Sequence, residues 1–510
     1  MTTEQAPPTP SGAPVQSAKE LLDPALRRLA VVVVLGMIMS ILDTTIVNVA
    51  LDTLARDFHA QVSEIQWVST GYLLALAAVI PMAGWAVERF GAKSVWLVSL
   101  SLFIVGSALC GLSWSLGSLI IFRVVQGLGG GMIMPVGMTI MARQAGPQRM
   151  GRVMSVIGVP TLLGPILGPV IGGLIVSNTT WRWIFFVNIP IGLVALALAW
   201  RILPSGGRVE QASKLDILGV CLLSPALASL VYGLSQVGGI GGALKPSVVI
   251  GLLTGVVLAG AFVAHALRSA NPLLDMRLFN NRSYALANTV TFIIGAVLFG
   301  VMFLLPLYYQ VVRGQSPLAA GLLMAPQGIG AACVMPLAGR IADQYGSRRV
   351  VPLGMTVMTV SSVVFGFVSP TTSEVLLAFA LFVRGIGLGM SMMPTMAAAY
   401  QTLDHAAIPR ATTLLNIVQR VGGSLGIAVL AVVLQVQIRS HTGSSGGVLS
   451  GPPGSVHAAV ADHLATAFAH TFWWSVVLSG LGIIPALFLP RRRAVEPGPT
   501  AAAPAAVLEG

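Results

Sequence analysis

The chain has 510 residues, of which 55% are hydrophobic and only 9% are charged. Soluble domains carry about a quarter charged residues, so this composition excludes an ordinary soluble protein and indicates an integral membrane protein. The formal net charge of +12 does not indicate a nucleic acid partner, because nearly all basic residues lie in short gaps between apolar segments.

The predicted elements are all helices that cross the lipid bilayer. A spanning helix needs roughly 20 apolar residues, and the sequence contains fourteen such segments. In chain order we expect a cytoplasmic tail (1–27), a bundle of six helices (28–203), a linker with two extra spanning helices (204–282), a second bundle of six helices (283–490) and a disordered cytoplasmic tail (491–510).

The distribution of basic residues predicts the orientation. If the N-terminus is cytoplasmic and the segments alternate, the cytoplasmic side holds 21 of the 29 Lys and Arg residues and the outer side five. This asymmetry follows the positive-inside rule and predicts that both termini are cytoplasmic. The remaining three basic residues, Arg123, Arg384 and Arg420, fall inside apolar segments.

The first apolar segment contains an acid, Asp43, in the stretch "SILDTTIVNVALD". Burying an acid in a membrane costs about 2.5 to 3.5 kcal/mol on insertion scales, so such a residue is a functional candidate. Asp43 and Arg123 have similar predicted depths, roughly 12 and 8 Å below the outer surface. We expect both to face one polar cavity, with Arg123 as the counter-ion that a proton or cationic substrate displaces; the alternative is a permanent ion pair that locks two helices.

Three further polar residues, Thr44, Asn48 and Gln126, are candidates for the same cavity. Thr44 and Asn48 are four residues apart and share one face of a helix, although small polar residues also serve helix packing. The first segment of the second bundle contains no acid. We therefore expect proton coupling to be centred on the N-terminal half.

A sequence repeat links the two halves: "GWAVERFGAKSV" (84–95) returns as "GRIADQYGSRRV" (339–350). Glycines permit a tight turn, and acids and bases can pair with neighbouring helix ends in one conformation and release them in another. We interpret the two loops as a conformational latch formed by Gly84, Glu88, Arg89, Gly91, Lys93, Gly339, Asp343, Gly346 and Arg348. The alternative is a pair of simple positively charged turns.

The stretch "GVPTLLGPILGPVIGGLI" (158–175) combines small residues with prolines. Glycines four residues apart allow close helix approach, and prolines remove backbone hydrogen bonds. We predict a kinked, tightly packed helix from Gly164, Pro165, Gly168, Pro169, Gly172 and Gly173.

The remaining candidates are weaker. Cys110, Cys221 and Cys333 lie in apolar segments and are interpreted as core residues. The histidines form no cluster with metal-ligand spacing, so we expect no metal and no cofactor. The expected source of energy is a proton gradient. Several large residues could line a pocket, although core packing is the favoured interpretation for most: Trp67, Tyr72, Met132, Met134, Phe292, Tyr308 and Tyr309.

Taken together, four stretches in order resemble the major facilitator superfamily, and in particular its fourteen-helix drug:H+ antiporters: "LDTTIVNVALD", "GWAVERFGAK", "FRVVQGLGGG" and "GPILGPVIGG". The resemblance covers about 28–490. It implies roles in proton coupling for Asp43 and Arg123 and stabilisation of the outward-facing state by the loop. The sequence departs from the family signatures at two acids, with Asp52 in place of proline and Glu88 in place of aspartate.

The leading hypothesis is therefore proton-coupled export of a hydrophobic, cationic or amphiphilic drug or antibiotic, by a monomer in a bacterial plasma membrane. The partners expected are a small-molecule substrate and the lipid bilayer, with no nucleic acid. A dedicated exporter of one natural product and a proton-coupled nutrient symporter remain alternatives. A membrane enzyme is disfavoured, because it would need a constellation such as paired carboxylates.

Overall fold

A computed structural model describes residues 24–204, 214–237, 246–404, 406–442 and 458–490. All regular secondary structure in these ranges is helical. The predicted tails lie largely outside the described residues, as does most of the Gly- and Ser-rich segment after 442.

The first part of the chain forms seven helices, which we call the N-terminal helices: α1 (Pro24–Asp57), α2 (Val62–Val79), α3 (Ala83–Phe90), α4 (Ala92–Gly111), α5 (Leu116–Asn178), α6 (Trp183–Phe186) and α7 (Asn188–Ile202). A short 3-10 turn, Ile80–Met82, joins α2 to α3. Local chemistry sets these boundaries: the Ser115 hydroxyl accepts a hydrogen bond from the backbone N–H of Ser118 at the start of α5, and Gly91 ends α3.

Two helices follow, α8 (Ile217–Val237) and α9 (Pro246–Arg268). The rest of the chain forms the C-terminal helices: α10 (Arg282–Val311), α11 (Pro317–Leu323), α12 (Ala325–Tyr345), α13 (Ser347–Val363), α14 (Glu374–Tyr400), α15 (Ile408–Thr442), α16 (Ala458–Leu481) and α17 (Ile483–Leu487). Asn281 caps α10 by accepting from the N–H groups of Ser283 and Tyr284.

Helix α5 contains 63 residues, although hydropathy predicts two separate crossings in this stretch. A straight helix of this length would measure roughly 95 Å, about three times the thickness of the hydrocarbon core. The residues that flank its two ends are nevertheless neighbours, because Arg182 Nη2 donates to the Ser113 carbonyl at 3.3 Å. The chain therefore reverses within α5, and its first part ends as an apolar span at Ala145.

Twelve helices of the described residues are long and apolar enough to cross a membrane, and Ile217–Gly233 in α8 is a shorter apolar helix. The second part of α5 and α8 are the two predicted segments outside this count. The chain is thus a multi-pass helical membrane protein.

Helix packing repeats between the two parts of the chain. In the N-terminal helices α5 packs against α1, α2 and α4, and in the C-terminal helices α15 packs against α10 while α14 packs against α12 and α13. Helix α5 also packs against α12, which joins the two sets on one side of the molecule. On another side α8 contacts both α2 and α15, and the Ser224 hydroxyl donates to the Ala78 carbonyl at 2.6 Å.

The cysteines correct one expectation. Cys110 is buried, whereas Cys221 and Cys333 are exposed on the surfaces of α8 and α12. An apolar segment does not fix which face of a helix a small residue occupies, because both the core and the lipid accept it.

Candidate functional site

Asp43 is completely buried and accepts hydrogen bonds from three side chains. Its Oδ2 accepts from Arg123 Nη1 at 2.6 Å. Its Oδ1 accepts from Gln126 Nε2 at 2.8 Å and from Asn188 Nδ2 at 3.0 Å. These four residues, which we call the acid cluster, tie together α1, α5 and α7. The pairing of Asp43 with Arg123 agrees with the similar depths expected from the sequence.

The Arg123 guanidinium has several further partners. It donates to the Val68 carbonyl through Nε at 3.1 Å and to Gln126 Oε1 through Nη1 at 2.7 Å. The Tyr72 ring lies over the guanidinium, with 4.0 Å between the guanidinium carbon and the ring centroid. A buried charge pair needs such additional partners to offset its desolvation.

Asn188 is the member of the cluster that sequence reasoning missed. Besides contacting Asp43, it donates to the Ser107 hydroxyl at 3.1 Å, and Ser107 donates to the Phe185 carbonyl at 2.9 Å. An amide inside the apolar stretch 181–203 was the available signal, because buried amides need partners in the same way as buried acids do.

A central cavity of about 600 Å³ lies between the N-terminal and C-terminal helices. Its walls come mainly from α1, α10, α5 and α15, and most of its lining is apolar. Polar side chains on the lining are Ser40, Thr44, Thr45, Asn48, Gln310, Gln327, Asn416, Gln419 and Arg420.

The structure separates the acid cluster from this cavity, contrary to expectation. Thr44 and Asn48 line it as predicted, but Asp43, Arg123 and Gln126 are not among its described lining residues. Helical geometry explains the difference, because consecutive residues of α1 point about 100° apart. A cargo in the cavity therefore does not touch Asp43 in this conformation.

Tyr72 stands between the two regions. Its ring covers Arg123, and its hydroxyl lies 3.4 Å from the hydroxyl of Ser40, which lines the cavity. Of the large residues proposed as pocket lining, only Met134 is among the described lining residues. Trp67 instead stacks on Tyr232 of α8, with ring centroids 6.0 Å apart.

The two repeated loops have the same backbone conformation. Gly91 has φ 82° and ψ 147°, and Gly346 has φ 85° and ψ 151°. Positive φ values of this kind favour glycine. This steric preference explains why glycine stands at the same position in both copies of the repeat. Each glycine ends one helix and begins the next.

The first loop also contacts the C-terminal helices directly. Arg410 of α15 donates to the Glu88 carboxylate through Nε at 2.9 Å and through Nη2 at 2.8 Å. A side chain at Gly84 would meet the backbone of Arg410 and Pro409 at 3.2 Å, so this loop docks closely. Of the other predicted latch residues, Gly339 is buried, Lys93, Asp343 and Arg348 are half-buried, and Arg89 is exposed.

Three glycines of α5 lie close to α1, a partner that the sequence did not identify. A Cβ atom on Gly164 would collide with Ile41, and one on Gly168 with Thr45. A Cβ on Gly172 would lie 3.2 Å from the Ile46 carbonyl oxygen, whereas one on Gly173 would meet nothing within 4 Å. Helix α5 continues through Pro165 and Pro169, whose side chains lie outside the described part.

Arg384 is the counterpart of Arg123 among the C-terminal helices. Its guanidinium is buried and donates to Gln327 Oε1 at 2.6 Å, to the Ser362 hydroxyl at 3.2 Å and to the Val297 carbonyl at 3.3 Å. All three acceptors are neutral. Arg384 thus differs from Arg123, one of whose described partners is the Asp43 carboxylate.

A second polar cluster joins the ends of α8 and α9. Asp216 accepts from the N–H groups of Gly219 at 2.8 Å and Leu273 at 3.0 Å, and His265 Nε2 lies 2.9 Å from its Oδ1. Burial opposes ionisation of this carboxyl, but the hydrogen bonds outweigh burial and lower the pKa of Asp216.

Comparison with known proteins identifies relatives over nearly the whole chain. The family model described as Major Facilitator Superfamily matches residues 33–427. A Mycobacterium tuberculosis protein named "Multidrug resistance protein B homolog" is 40% identical over 96% of this chain and 95% of its own length. A Haemophilus influenzae protein named "Multidrug export protein EmrB" is 32% identical over 79% of each chain.

Solved structures share the fold at low sequence identity. The human organic anion transporter MFSD10 (TETRAN) superposes with a TM-score of 0.61 at 17% identity, covering 90% of this chain and 100% of its own. The proton:xylose symporter XylE superposes with a TM-score of 0.59 at 13% identity, covering 92% of this chain and 96% of its own.

Proposed function

The chain belongs to the Major Facilitator Superfamily, and from this premise we propose that it exports hydrophobic drugs or antibiotics across a bacterial plasma membrane in exchange for protons. The names of its relatives as multidrug resistance and export proteins support export of such compounds. The observation that carries proton coupling is the buried pair of Asp43 and Arg123, 2.6 Å apart.

Proton binding to Asp43 acts on helix positions. The ionised carboxylate holds three donors from α5 and α7, and a proton on either oxygen removes the charge that attracts the Arg123 guanidinium. The hydrogen bond between Arg123 and Asp43 is then weakened. Because this bond helps to hold α1 against α5, α1 becomes free to move relative to α5 and α7. Because α1 also forms a wall of the cavity, this movement changes the space offered to the cargo.

This mechanism differs from direct competition at Asp43. The cargo contacts the cavity face of α1, and the proton binds on the opposite side of Tyr72. Coupling therefore comes from alternation between two arrangements of the helices, each favoured by one of the two cargoes. Proton and substrate need not share an atom.

We propose fourteen crossings with both termini in the cytoplasm. The reversal of α5 and the length of α8 support the two crossings beyond the twelve apolar spans. The domain plan is an N-terminal bundle (28–203), a linker with two inserted helices (204–282) and a C-terminal bundle (283–490), flanked by the tails 1–27 and 491–510. No further subunit is needed for this cycle, so the monomer is the proposed unit.

The proposed conformation is outward-facing. The Glu88–Arg410 contact closes the end that carries the repeated loops, which the positive-inside rule assigns to the cytoplasm. The cavity is lined by residues of α1 and α10 away from that end, up to Val49 and Gln310. Both observations support closure on the cytoplasmic side.

The cavity lining favours a broad range of substrates over one natural product or a polar nutrient. A volume of about 600 Å³ suits a drug-sized ligand. Five methionines are on the lining: Met37, Met134, Met302, Met324 and Met392. Flexible, polarisable methionine side chains adapt to ligands of different shapes.

Exchange of Asp43 for asparagine tests the proton-coupling assignment. The protein is reconstituted in liposomes, a pH gradient is imposed and efflux of a fluorescent hydrophobic dye is followed. Asp43→Asn should abolish the pH-driven component, while Asp462→Asn, which alters an exposed acid, should leave it intact. Normal pH-driven efflux by Asp43→Asn at wild-type protein levels would show the assignment to be wrong.

A further inference from the structure

The central cavity carries a single formal charge among its described lining residues, and that charge is positive. Arg420 of α15 contributes it. The other polar lining residues are neutral hydroxyls and amides, and Asp43 is not among the described lining residues. A cation in this cavity therefore meets a guanidinium and no described acid.

Arg420 also differs from the two other arginines of the apolar segments in its partners. Arg123 bonds an acid and Arg384 bonds a glutamine, a serine and a carbonyl. In the described part of the chain no hydrogen bond or salt bridge is made by the Arg420 side chain or by that of the preceding residue, Gln419. Both side chains reach the cavity, where water or a ligand can satisfy them.

An arginine at membrane depth without an acid partner is costly, so its position in a cavity calls for a recurring occupant. A guanidinium presents donors in a planar fork that matches a carboxylate with two parallel hydrogen bonds. The field of a lone cation in a largely apolar cavity also concentrates anions.

We infer that Arg420, assisted by the Gln419 amide, binds a carboxylate or similar planar anionic group of an amphiphilic substrate. The inference rests on the proposed export function and specifies the substrate class for that cavity. The apolar part of such a substrate contacts the methionines and Phe299, while its anionic group contacts α15. The neutral side chains of Ser40, Thr44 and Asn48 form the facing wall on α1.

The polar residues of this facing wall are largely occupied with local partners. The Thr44 hydroxyl donates to the Ser40 carbonyl at 3.0 Å, and Asn48 Oδ1 accepts from the Ser69 hydroxyl at 3.1 Å. Asn416, on α15, donates to the Thr412 carbonyl at 2.9 Å. Arg420, with its five N–H donors, is therefore the lining residue with the greatest free capacity to donate hydrogen bonds to a ligand, and the Gln419 amide lies beside it in the chain.

A matched set of three ligands tests the inference: 2-naphthylacetate, the neutral 2-naphthylacetamide and (2-naphthylmethyl)trimethylammonium. The full chain is placed in lipid nanodiscs and binding is measured by calorimetry. Wild type should bind the carboxylate roughly tenfold or more tightly than the amide, as expected for charge-assisted hydrogen bonds, and should bind the ammonium compound most weakly.

Arg420→Gln should bring the affinity for the carboxylate close to that for the amide and leave the amide affinity within about twofold. Arg420→Lys should keep a reduced preference, because a lysine retains the charge without the fork. Arg439→Gln is the matched control, since Arg439 is exposed further along the same helix and its loss should change none of the affinities.

Two results would overturn the inference: equal or tighter binding of the ammonium compound by wild type, or a carboxylate preference that survives in Arg420→Gln. The first needs no variant, so it applies even if Arg420→Gln fails to fold. The proposed export function is tested separately by pH-driven efflux of 2-naphthylacetamide from wild-type liposomes, which does not depend on Arg420. If the amide is exported but wild type shows no preference for the carboxylate, the inference about Arg420 is contradicted while the proposed export function stands.

Discussion

The Glu88 carboxylate accepts two hydrogen bonds from the Arg410 guanidinium, at 2.8 and 2.9 Å, although the two residues are 322 positions apart in the chain. Both side chains are largely shielded, with 12% of Glu88 and 19% of Arg410 exposed. A shielded pair of this kind acts only in the conformation that brings α3 and α15 together, so it stabilises that conformation over the alternative.

We expect Glu88→Gln to shift the protein towards the state that is open at this end. Loss of the charge-assisted hydrogen bonds should cost about 1.5 to 3 kcal/mol, which changes the equilibrium constant roughly ten- to hundredfold. Spin labels on cysteines introduced at Ser94 and Asp404, both exposed near this end, in a chain whose exposed Cys221 and Cys333 are replaced by serine, report the separation of α4 from the segment after α14 by pulsed electron paramagnetic resonance.

The charge-reversed pair Glu88→Arg with Arg410→Glu is the control, because it restores opposite charges in the same place. This double variant should recover part of the short distance between the labels at positions 94 and 404. An unchanged distance distribution in Glu88→Gln would mean that the contact does not control the equilibrium.

Asn188→Leu should lower the rate of pH-driven efflux at least severalfold. The substitution removes one of the three hydrogen bonds to the Asp43 carboxylate, and a hydrogen bond to a charged group is worth roughly 1.5 to 3 kcal/mol. Initial rates of dye efflux under an imposed pH gradient measure the change. Ser107→Ala leaves all three donors to Asp43 in place and should lower the rate much less.

Gly168→Ala should destabilise the protein, because the new methyl group collides with Thr45 and forces α1 away from α5. Overpacking of this kind costs about 1 to 3 kcal/mol. Gly173→Ala adds the same methyl group five residues later, where it meets nothing within 4 Å, and should be tolerated. Thermal unfolding in detergent, followed by the fluorescence of native tryptophans, compares the two; equal melting temperatures would contradict close packing of α1 on α5.

Lowering the pH should weaken the hydrogen-bonded cluster of Asp216 that joins the ends of α8 and α9. The pKa of Asp216 is lowered because hydrogen bonds from Gly219, His265 and Leu273 outweigh burial. A lowered pKa means that the ionised carboxyl stabilises the fold above its unfolded pKa of about 3.9, and that this contribution is lost as pH falls further.

Hydrogen exchange measured by mass spectrometry on peptides covering 214–220 and 270–276 tests this behaviour. Wild type should lose protection of the Gly219 and Leu273 amides below about pH 4, whereas Asp216→Asn should have reduced protection at every pH. Protection in wild type that is constant from pH 7 to pH 3 would contradict the role given to this carboxyl.

The sequence predicted the helical class and the pairing of Asp43 with Arg123, because an acid and a base buried at similar depth have few other ways to lower their energy. It also located the two turn glycines, Gly91 and Gly346, through their repeated spacing. The first success depends on depth within an apolar segment and the second on spacing along the chain, and both can be read from the sequence.

Other features depend on rotation about helix axes and on contacts between distant helices, which spacing alone does not determine. Hydropathy identified Arg420 as unusual but did not place it in the cavity. The expectation that Asp43 faces the cavity failed for the same reason, since its side chain lies in the acid cluster. Arg410 was one of many bases expected on one side of the membrane, and only the packing of α15 against α3 identifies it as the partner of Glu88.

Asp43, Thr44 and Thr45 follow one another on α1, yet Asp43 belongs to the acid cluster, Thr44 lines the cavity, and Thr45 contacts Gly164 of α5 as well as the cavity. One helix thus presents a face to the acid cluster, a face to the cavity and a face to α5 within a single turn. Insertion of one residue between Met39 and Ser40 would rotate all three faces by about 100° and uncouple them together, so the angular phase of α1 is itself a functional constraint.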